Sequence, residues 1–251
     1  MHHREIYDKY LEAALLRANE PTKHAFENMA QLYYVWYGKC LPKNKDAKIL
    51  DVGCGMGHFL YYLKKTGYTN FLGIDISPQA VDFVKKYITK NVILADAFEF
   101  LKGAKDFDVI VLNDIIEHIP KERVLELLKL CFNALKPGRK IFVKTDNMSN
   151  PFSLKLRYQD FTHEVGFTEE SFVQVLYIAG FRNIRVFDAS EHTSSISIRY
   201  LLGKIVHMIL RLLFLIQGFS APKILDKSII AIAEKPNNPY CESIPITYNR
   251  F

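Results

Sequence analysis

Short apolar runs rich in β-branched residues alternate with amphipathic stretches through most of the chain, and this alternation limits the fold more than any other feature. KILDV, NFLGID, VILA, DVIVLN and KIFVKT read as buried strands. Between them the apolar residues recur at helical spacing, as at Val124, Leu127, Leu128, Cys131 and Leu135. Strands that are apolar throughout, linked by helices, predict a parallel α/β sheet covered on both faces.

The punctuation supports this reading. Ser77 and Pro78 supply an N-cap and a first-turn proline, Pro120 opens a later helix and Pro137-Gly138 closes it. In FTEESFVQVLYIAGF, Thr168 caps a helix whose stripe is Phe172, Val175, Leu176 and Ala179, and Gly180 ends it. Two late strands follow, RNIRVF and SIIAIAE.

Four segments stand outside the alternation. Residues 1–40 predict a helical N-terminal cap with Phe26, Met29, Tyr33, Trp36 and Tyr37 on one face, read first as core packing and second as a lid. Residues 146–167 form an irregular connection, residues 189–226 carry a basic, strongly apolar helix, and residues 237–251 are a tail.

The glycines of KILDVGCGMGHFL mark the first candidate site. Gly53, Gly55 and Gly57 directly follow a strand, and glycine tolerates positive φ and close approach of another molecule to the backbone. A dinucleotide fingerprint would be G-x-G-x-x-G, whereas here His58 occupies the place of the third glycine. Asp51 puts a carboxylate beside the cradle, which suits a cationic cofactor better than a pyrophosphate. Asp75, closing the second strand, is placed to accept ribose hydroxyls, and Asp96, closing the third, to take an adenine amino group with Ala97 and Phe98 beside the ring.

In order along the chain, ILDVGCGMG, GIDIS, ADA, FDVIVLNDIIEHI and LKPGRKIFV resemble the successive motifs of class I S-adenosylmethionine-dependent methyltransferases, over about residues 45 to 190. The resemblance implies a Rossmann-like seven-stranded sheet of order 3-2-1-4-5-7-6 with the last strand antiparallel, in a methyltransferase domain at 41–236 with acceptor-side insertions at 146–167 and 189–226. It implies S-adenosylmethionine as cofactor, held over Asp51, Gly53, Gly55 and Gly57, with its ribose on Asp75, its adenine near Ile76 and Asp96, and its methionine end near Asn113.

Methyl transfer to a hydroxyl calls for a base, and histidine suits neutral pH. His163 lies in RYQDFTHEVGFT, and similar R-x-x-D-x-T-H segments recur in sugar and small-molecule members of the family. Arg157, Tyr158 and Thr162 are the expected acceptor-binding residues there, and Asp160 joins His163 as a catalytic candidate. His118 is the other candidate base. In the ubiquinone O-methylation group the positions matching Asp114, Glu117 and His118 are associated with a divalent metal; capping and packing are the preferred reading here, so no metal is expected.

On a helical wheel, Arg199, Lys204, His207 and Arg211 cluster opposite a broad apolar face, in a region with no acid between residues 192 and 225. Peripheral membrane contact through residues 199–217 and a homodimer interface are the two readings. The net charge of +6 is spread along the chain, with no arginine-rich tract, and nucleic acid is not an expected partner. Cys40, Cys54, Cys131 and Cys241 form no C-x-x-C pair, and the N-terminus lacks a signal-peptide pattern. The expected location is the cytoplasm, at the inner face of the membrane. The expected reaction is O-methylation of a sugar, glycan or lipid-linked saccharide. A quinol-type or small-molecule O-methyltransferase and a catalytically silent cofactor-binding protein are the alternatives. The glycine spacing and Asp51 disfavour a nicotinamide oxidoreductase.

Overall fold

The computed structural model describes residues 21–189, 198–237 and the backbone of 247–248; at 199 and 200 likewise only the backbone is described. The chain runs α1 (Lys23–Tyr37), β1 (Ile49–Val52), α2 (His58–Lys65), β2 (Phe71–Asp75), α3 (Pro78–Tyr87), β3 (Val92–Leu94), α4 (Ala97–Gly103) and β4 (Phe107–Asn113). It continues through α5 (Val124–Ala134), β5 (Leu135–Asp146), α6 (Leu154–Gln159), α7 (Glu169–Ile178), β6 (Arg182–Asp188), α8 (Ile198–Ile216), β7 (Ser228–Glu234) and β8 (Thr247–Tyr248).

The strands form one sheet of order β3-β2-β1-β4-β5-β7-β6-β8. Strands β1 to β5 pair in parallel, and β7 runs antiparallel to both β5 and β6. The expected order is therefore present, with one addition: residues 247–248, read from sequence as tail, pair in parallel with Arg185 and Val186 at the edge. Two residues carry too little periodicity to announce a strand.

Alternation along each strand divides the core in two. Leu50, Val52, Ile110, Leu112, Ile141 and Val143 pack with α5 and α7 on one face. Ile49, Val109, Val111 and Phe142 pack with α1, α2 and α3 on the other. The α1 stripe is core: Phe26, Tyr33, Trp36 and Tyr37 are buried, Tyr33 and Tyr37 both meet Phe59 edge-on, and Tyr37 packs on Phe142. Thr22 caps this helix by accepting the Ala25 N–H.

One local expectation changes. Pro137-Gly138 does not close a helix; α5 passes directly into β5, and the Gly138 N–H donates to the Lys235 carbonyl across the sheet. For α8 the sequence left open which half meets the body: His207 and Arg211 are half-buried and Lys204 borders them, while the apolar face points to solvent.

Candidate active site

Parallel strands present their carboxyl ends on one edge, so Val52, Asp75, Leu94 and Asn113 finish beside one another. Between Val52 and α2 the chain turns through Gly53 (φ 67°), Gly55 (φ 49°) and Gly57 (φ 79°), all left-handed. Packing adds a second requirement. A Cβ on Gly53 would lie 2.1 Å from Ile115 Cδ1, and one on Gly57 would lie 2.9 Å from Val84 Cγ2. The Gly53 and Cys54 N–H groups donate to the Ile74 carbonyl, which holds the turn against β2.

Asp75 organises this turn. Its Oδ2 accepts the Gly55 N–H and its Oδ1 the Ser77 N–H, both at 2.8 Å. Burial raises its pKa, and those backbone donors pull against the rise. A carboxylate oxygen has lone-pair capacity beyond one such bond, so Asp75 can still accept hydroxyls. Ile76 follows with 39% exposure, an apolar surface beside that carboxylate. Asp96 Oδ1 caps α4 by accepting the Phe98 and Glu99 N–H groups, with half-buried Ala97 next to it. Phe98, expected at a ring edge, is core, and the Arg123 guanidinium lies 3.5 Å over it.

Asp51 shares the Ile49 face of β1 and points beneath α1. It is 2% exposed, and no hydrogen bond to its carboxylate occurs among the described residues. Burial, then the charge of Asp75, raises its pKa well above the ordinary carboxylate value. The Tyr37 hydroxyl donates to Asn113 Oδ1 at 2.6 Å. That leaves the Asn113 Nδ2 donor buried without an acceptor among the described residues, while the Gln79 Oε1 acceptor has no donor and His58 Nε2 has no partner there. An uncompensated carboxylate, an unmatched buried Asn113 donor and a glycine turn at the same strand edge suit a ligand with an ammonium, a carboxylate and a ribose. S-adenosylmethionine has all three groups, and the residues fit it.

A second cluster lies beyond β4 and β5. Thr162 donates its hydroxyl proton to Asp160 Oδ1 at 2.7 Å, and its oxygen lies 2.7 Å from His118 Nδ1. Since that proton goes to Asp160, His118 Nδ1 carries the hydrogen of the second bond and Nε2 carries the lone pair. The His163 ring meets the His118 ring edge-on, with centroids 4.6 Å apart. Burial, then His163, lowers the His118 pKa to about 4. Arg157 fastens the loop by donating to the carbonyls of His163 and Glu164, so its outer nitrogens shape the acceptor segment. Tyr158 is 76% exposed.

The grouping of potential metal donors differs from the sequence reading. Lys144 pairs with both oxygens of Asp114, at 2.6 and 2.7 Å. Glu117, His118 and His163 instead bring one ligand atom each to within 4.8 Å of one another. Glu117 accepts the Thr145 hydroxyl, and burial, then Asp114, raises its pKa well above the ordinary value.

Sequence reasoning missed Tyr37 as the partner of Asn113, Gln79 and His58 as unmatched polar groups, and Lys144 as the counterion of Asp114. Only Lys144, a charge inside an apolar strand, left a signal that could have been followed.

A glycine turn on an α/β sheet of this order, with an acidic residue closing β2, defines a class I methyltransferase fold. The methyltransferase-domain family matches residues 23–186, and the chain belongs to that family. Over 108 residues it is 32% identical to the ubiquinone biosynthesis O-methyltransferase of Coxiella burnetii, covering 41% of this chain and 45% of that protein. Over 159 residues it is 24% identical to the phosphoethanolamine N-methyltransferase of Plasmodium falciparum, covering 59% of each. The chain thus spans about half the length of the curated relatives it matches. Among solved structures, a SAM dependent methyltransferase from Archaeoglobus fulgidus superposes with a TM-score of 0.61 at 26% identity, over 82% of this chain and 94% of that one. S-adenosylmethionine is the cofactor of this class.

Proposed function

We propose that the protein transfers a methyl group from S-adenosylmethionine to a hydroxyl of an amphiphilic acceptor, with His163 as general base. The observation that carries this reading is the Asp160, Thr162, His118 hydrogen-bonded chain, which ends against the His163 ring at the carboxyl edge of the sheet. S-adenosylmethionine supplies an electrophilic methyl on a sulfonium centre. The protein's share is to hold an oxygen in line, exclude water and take up the proton, and positioning alone is worth up to roughly 7 to 11 kcal/mol.

Burial makes His118 a weak base, with a conjugate acid near 4. That favours His163 for the proton and gives His118, held by Thr162, the task of orienting it. Arg157 keeps the loop closed around both. Asp51, Asn113, Asp75, Ile76 and Asp96 form the cofactor side in this proposal, and Tyr158 and Thr162 border the acceptor.

Exposed Phe152, Leu154, Tyr158 and Phe161 along the acceptor segment support an acceptor with an apolar portion. The saccharide part of a lipid-linked acceptor rests on the R-x-x-D-x-T-H resemblance, whereas a quinol-type acceptor is supported by the likeness to ubiquinone biosynthesis O-methyltransferase. A second mechanistic reading has Glu117, His118 and His163 hold a divalent cation that lowers the acceptor hydroxyl's pKa. The proposed compartment is the cytoplasm, consistent with Cys40, Cys54 and Cys131 being free thiols.

Mass spectrometry of lipid and glycolipid extracts incubated with the protein and the cofactor tests the reaction: a new product heavier by one methylene supports it, and cofactor binding with no such product favours a silent binding protein. His163→Ala should lower turnover by about a hundredfold while cofactor affinity stays near wild type. If turnover instead requires added magnesium and is abolished by chelation, the metal reading replaces the general-base one.

A further inference from the structure

We propose that α8 docks the protein on an anionic phospholipid surface, with its outward face buried among the acyl chains. Ten apolar side chains between Leu201 and Ile216 are each 42 to 67% exposed, including Leu201, Ile205, Met208, Ile209 and Leu212. At 3.6 residues per turn they fill an arc of about 180°, with no polar residue inside it. The helix meets the body through the other half, where Leu210 is buried and His207, Arg211 and Phe214 are half-buried. Phe219, 65% exposed, extends the apolar surface past the helix end.

The width of the face selects the occupant. One partner helix covers a stripe of about 100° or somewhat more, so a second copy pairing through α8 would leave part of this arc in water. A bilayer surface takes in the whole outward half at once. Charge agrees in part: exposed Lys204 lies at the border of the apolar arc, Lys223 and Lys227 follow, and α8 itself carries no acid, while Arg211 turns to the body side, where Asp188 and Asp226 line the same pocket. Basic residues flanking an interfacial helix match anionic headgroups. Spanning is a different matter, since no helix among the described residues is long and apolar enough to cross a membrane.

The helix is fastened to the acceptor segment. Asn147 Nδ2 donates to the carbonyls of Ile224 and Asp226, at 3.0 and 2.9 Å, and Asn150 Nδ2 donates to that of Leu225 at 2.8 Å. Arg211 donates to the Lys223 carbonyl, closing the return from α8 onto the same stretch. The loop that leads from β5 into the acceptor segment therefore grips the chain leaving α8. The segment it leads into carries Phe152, Leu154 and Phe161, exposed by 67, 63 and 92%. Docking through α8 would bring the acceptor side of the sheet to the source of a lipid-borne acceptor. The docking itself does not depend on the methyl-transfer reading.

Cosedimentation of the full chain with phosphatidylglycerol-containing vesicles and with pure phosphatidylcholine vesicles, at low and high salt, tests the proposal. Binding should be strongest to the anionic vesicles at low salt and fall severalfold at high salt, since each basic residue at such a surface contributes roughly fivefold. Ile205→Glu combined with Leu212→Glu, at the middle of the exposed face, should lower partitioning at least tenfold. Cofactor binding measured on the same samples reports folding, and its failure would be a separate result. The proposal is overturned if the wild-type protein stays in the supernatant at low salt, or if the double variant binds as the wild type does. A dimer in sedimentation that those substitutions dissociate, without vesicle binding, would overturn it in favour of a second copy.

Discussion

Tyr37, on the last turn of α1, donates its hydroxyl to Asn113 Oδ1 at the end of β4, joining residues 76 positions apart at 2.6 Å. Both belong to the cofactor edge. Fully buried Tyr37 thereby fixes which way the Asn113 amide points and leaves Nδ2 as the available donor. Tyr37→Phe should cost about 1 to 3 kcal/mol of stability by stranding that oxygen, and should weaken cofactor affinity severalfold. Thermal melts and calorimetry check the pair of effects. Unchanged affinity in a folded variant would mean that the hydroxyl does not orient Asn113.

Gly53 is required twice over, by its positive φ and by Ile115. Gly53→Ala should destabilise the protein by about 2 kcal/mol or more. Adding Ile115→Ala should relieve the clash and leave the backbone strain, so recovery relative to the Ile115→Ala background is partial. Urea midpoints of the four proteins in this cycle measure both parts.

For Asp75, removal of the carboxylate frees the Gly55 and Ser77 N–H groups and removes a ribose acceptor. Asp75→Ala should weaken S-adenosylmethionine binding by about 1.5 to 3 kcal/mol in a protein that still folds. Wild-type affinity in calorimetry would remove Asp75 from the cofactor site.

Thr162 carries the chain between Asp160 and His118. Thr162→Val keeps the volume and loses both hydroxyl bonds, so turnover should fall about tenfold or more with cofactor affinity retained. Thr162→Ser should restore most of the rate. A Ser variant as slow as the Val variant would show that the hydroxyl alone does not carry the effect and would count against the hydrogen-bonded chain.

His58 opens α2 with a half-buried ring stacked on Phe26, centroids 4.3 Å apart. Burial lowers its pKa from 6.5 to about 4. Between those values a falling pH protonates His58 in the unfolded chain before the folded one, which favours unfolding. Its contribution is thus present at neutral pH and lost as pH falls through this window, by up to about 3 kcal/mol. Asp51 and Glu117, with raised pKa values, act in the opposite sense, so the wild-type curve alone mixes the effects. The pH dependence of the stability difference between wild type and His58→Gln isolates the histidine, and a flat difference from pH 7 to 4 would contradict the assignment.

The sheet was legible because its signals are local. Short strands apolar throughout, 3.6-period helices and three glycines after β1 are each local signals, and the strand-end residues Asp75, Asp96 and Asn113 follow from where those strands stop. The acceptor residues were partly legible: Asp160, Thr162, His163 and His118 were singled out, but the bond across 44 residues that links Thr162 to His118 has no sequence signature. Arg157 shows the same limit, since sequence marks a cation in the loop but does not reveal that backbone carbonyls occupy it.

The sequence by itself determined the alternation, the cradle and the existence of an amphipathic α8, because hydrophobic spacing and glycine dihedrals are properties of short segments. Only the tertiary structure decided which half of α8 meets the body, that Asp114 pairs with Lys144 while Glu117 and His118 group with His163, and that Tyr37 bonds Asn113. Those outcomes depend on which strands become neighbours and which loops close over their ends, and the free energy of such contacts belongs to pairs of residues far apart along the chain.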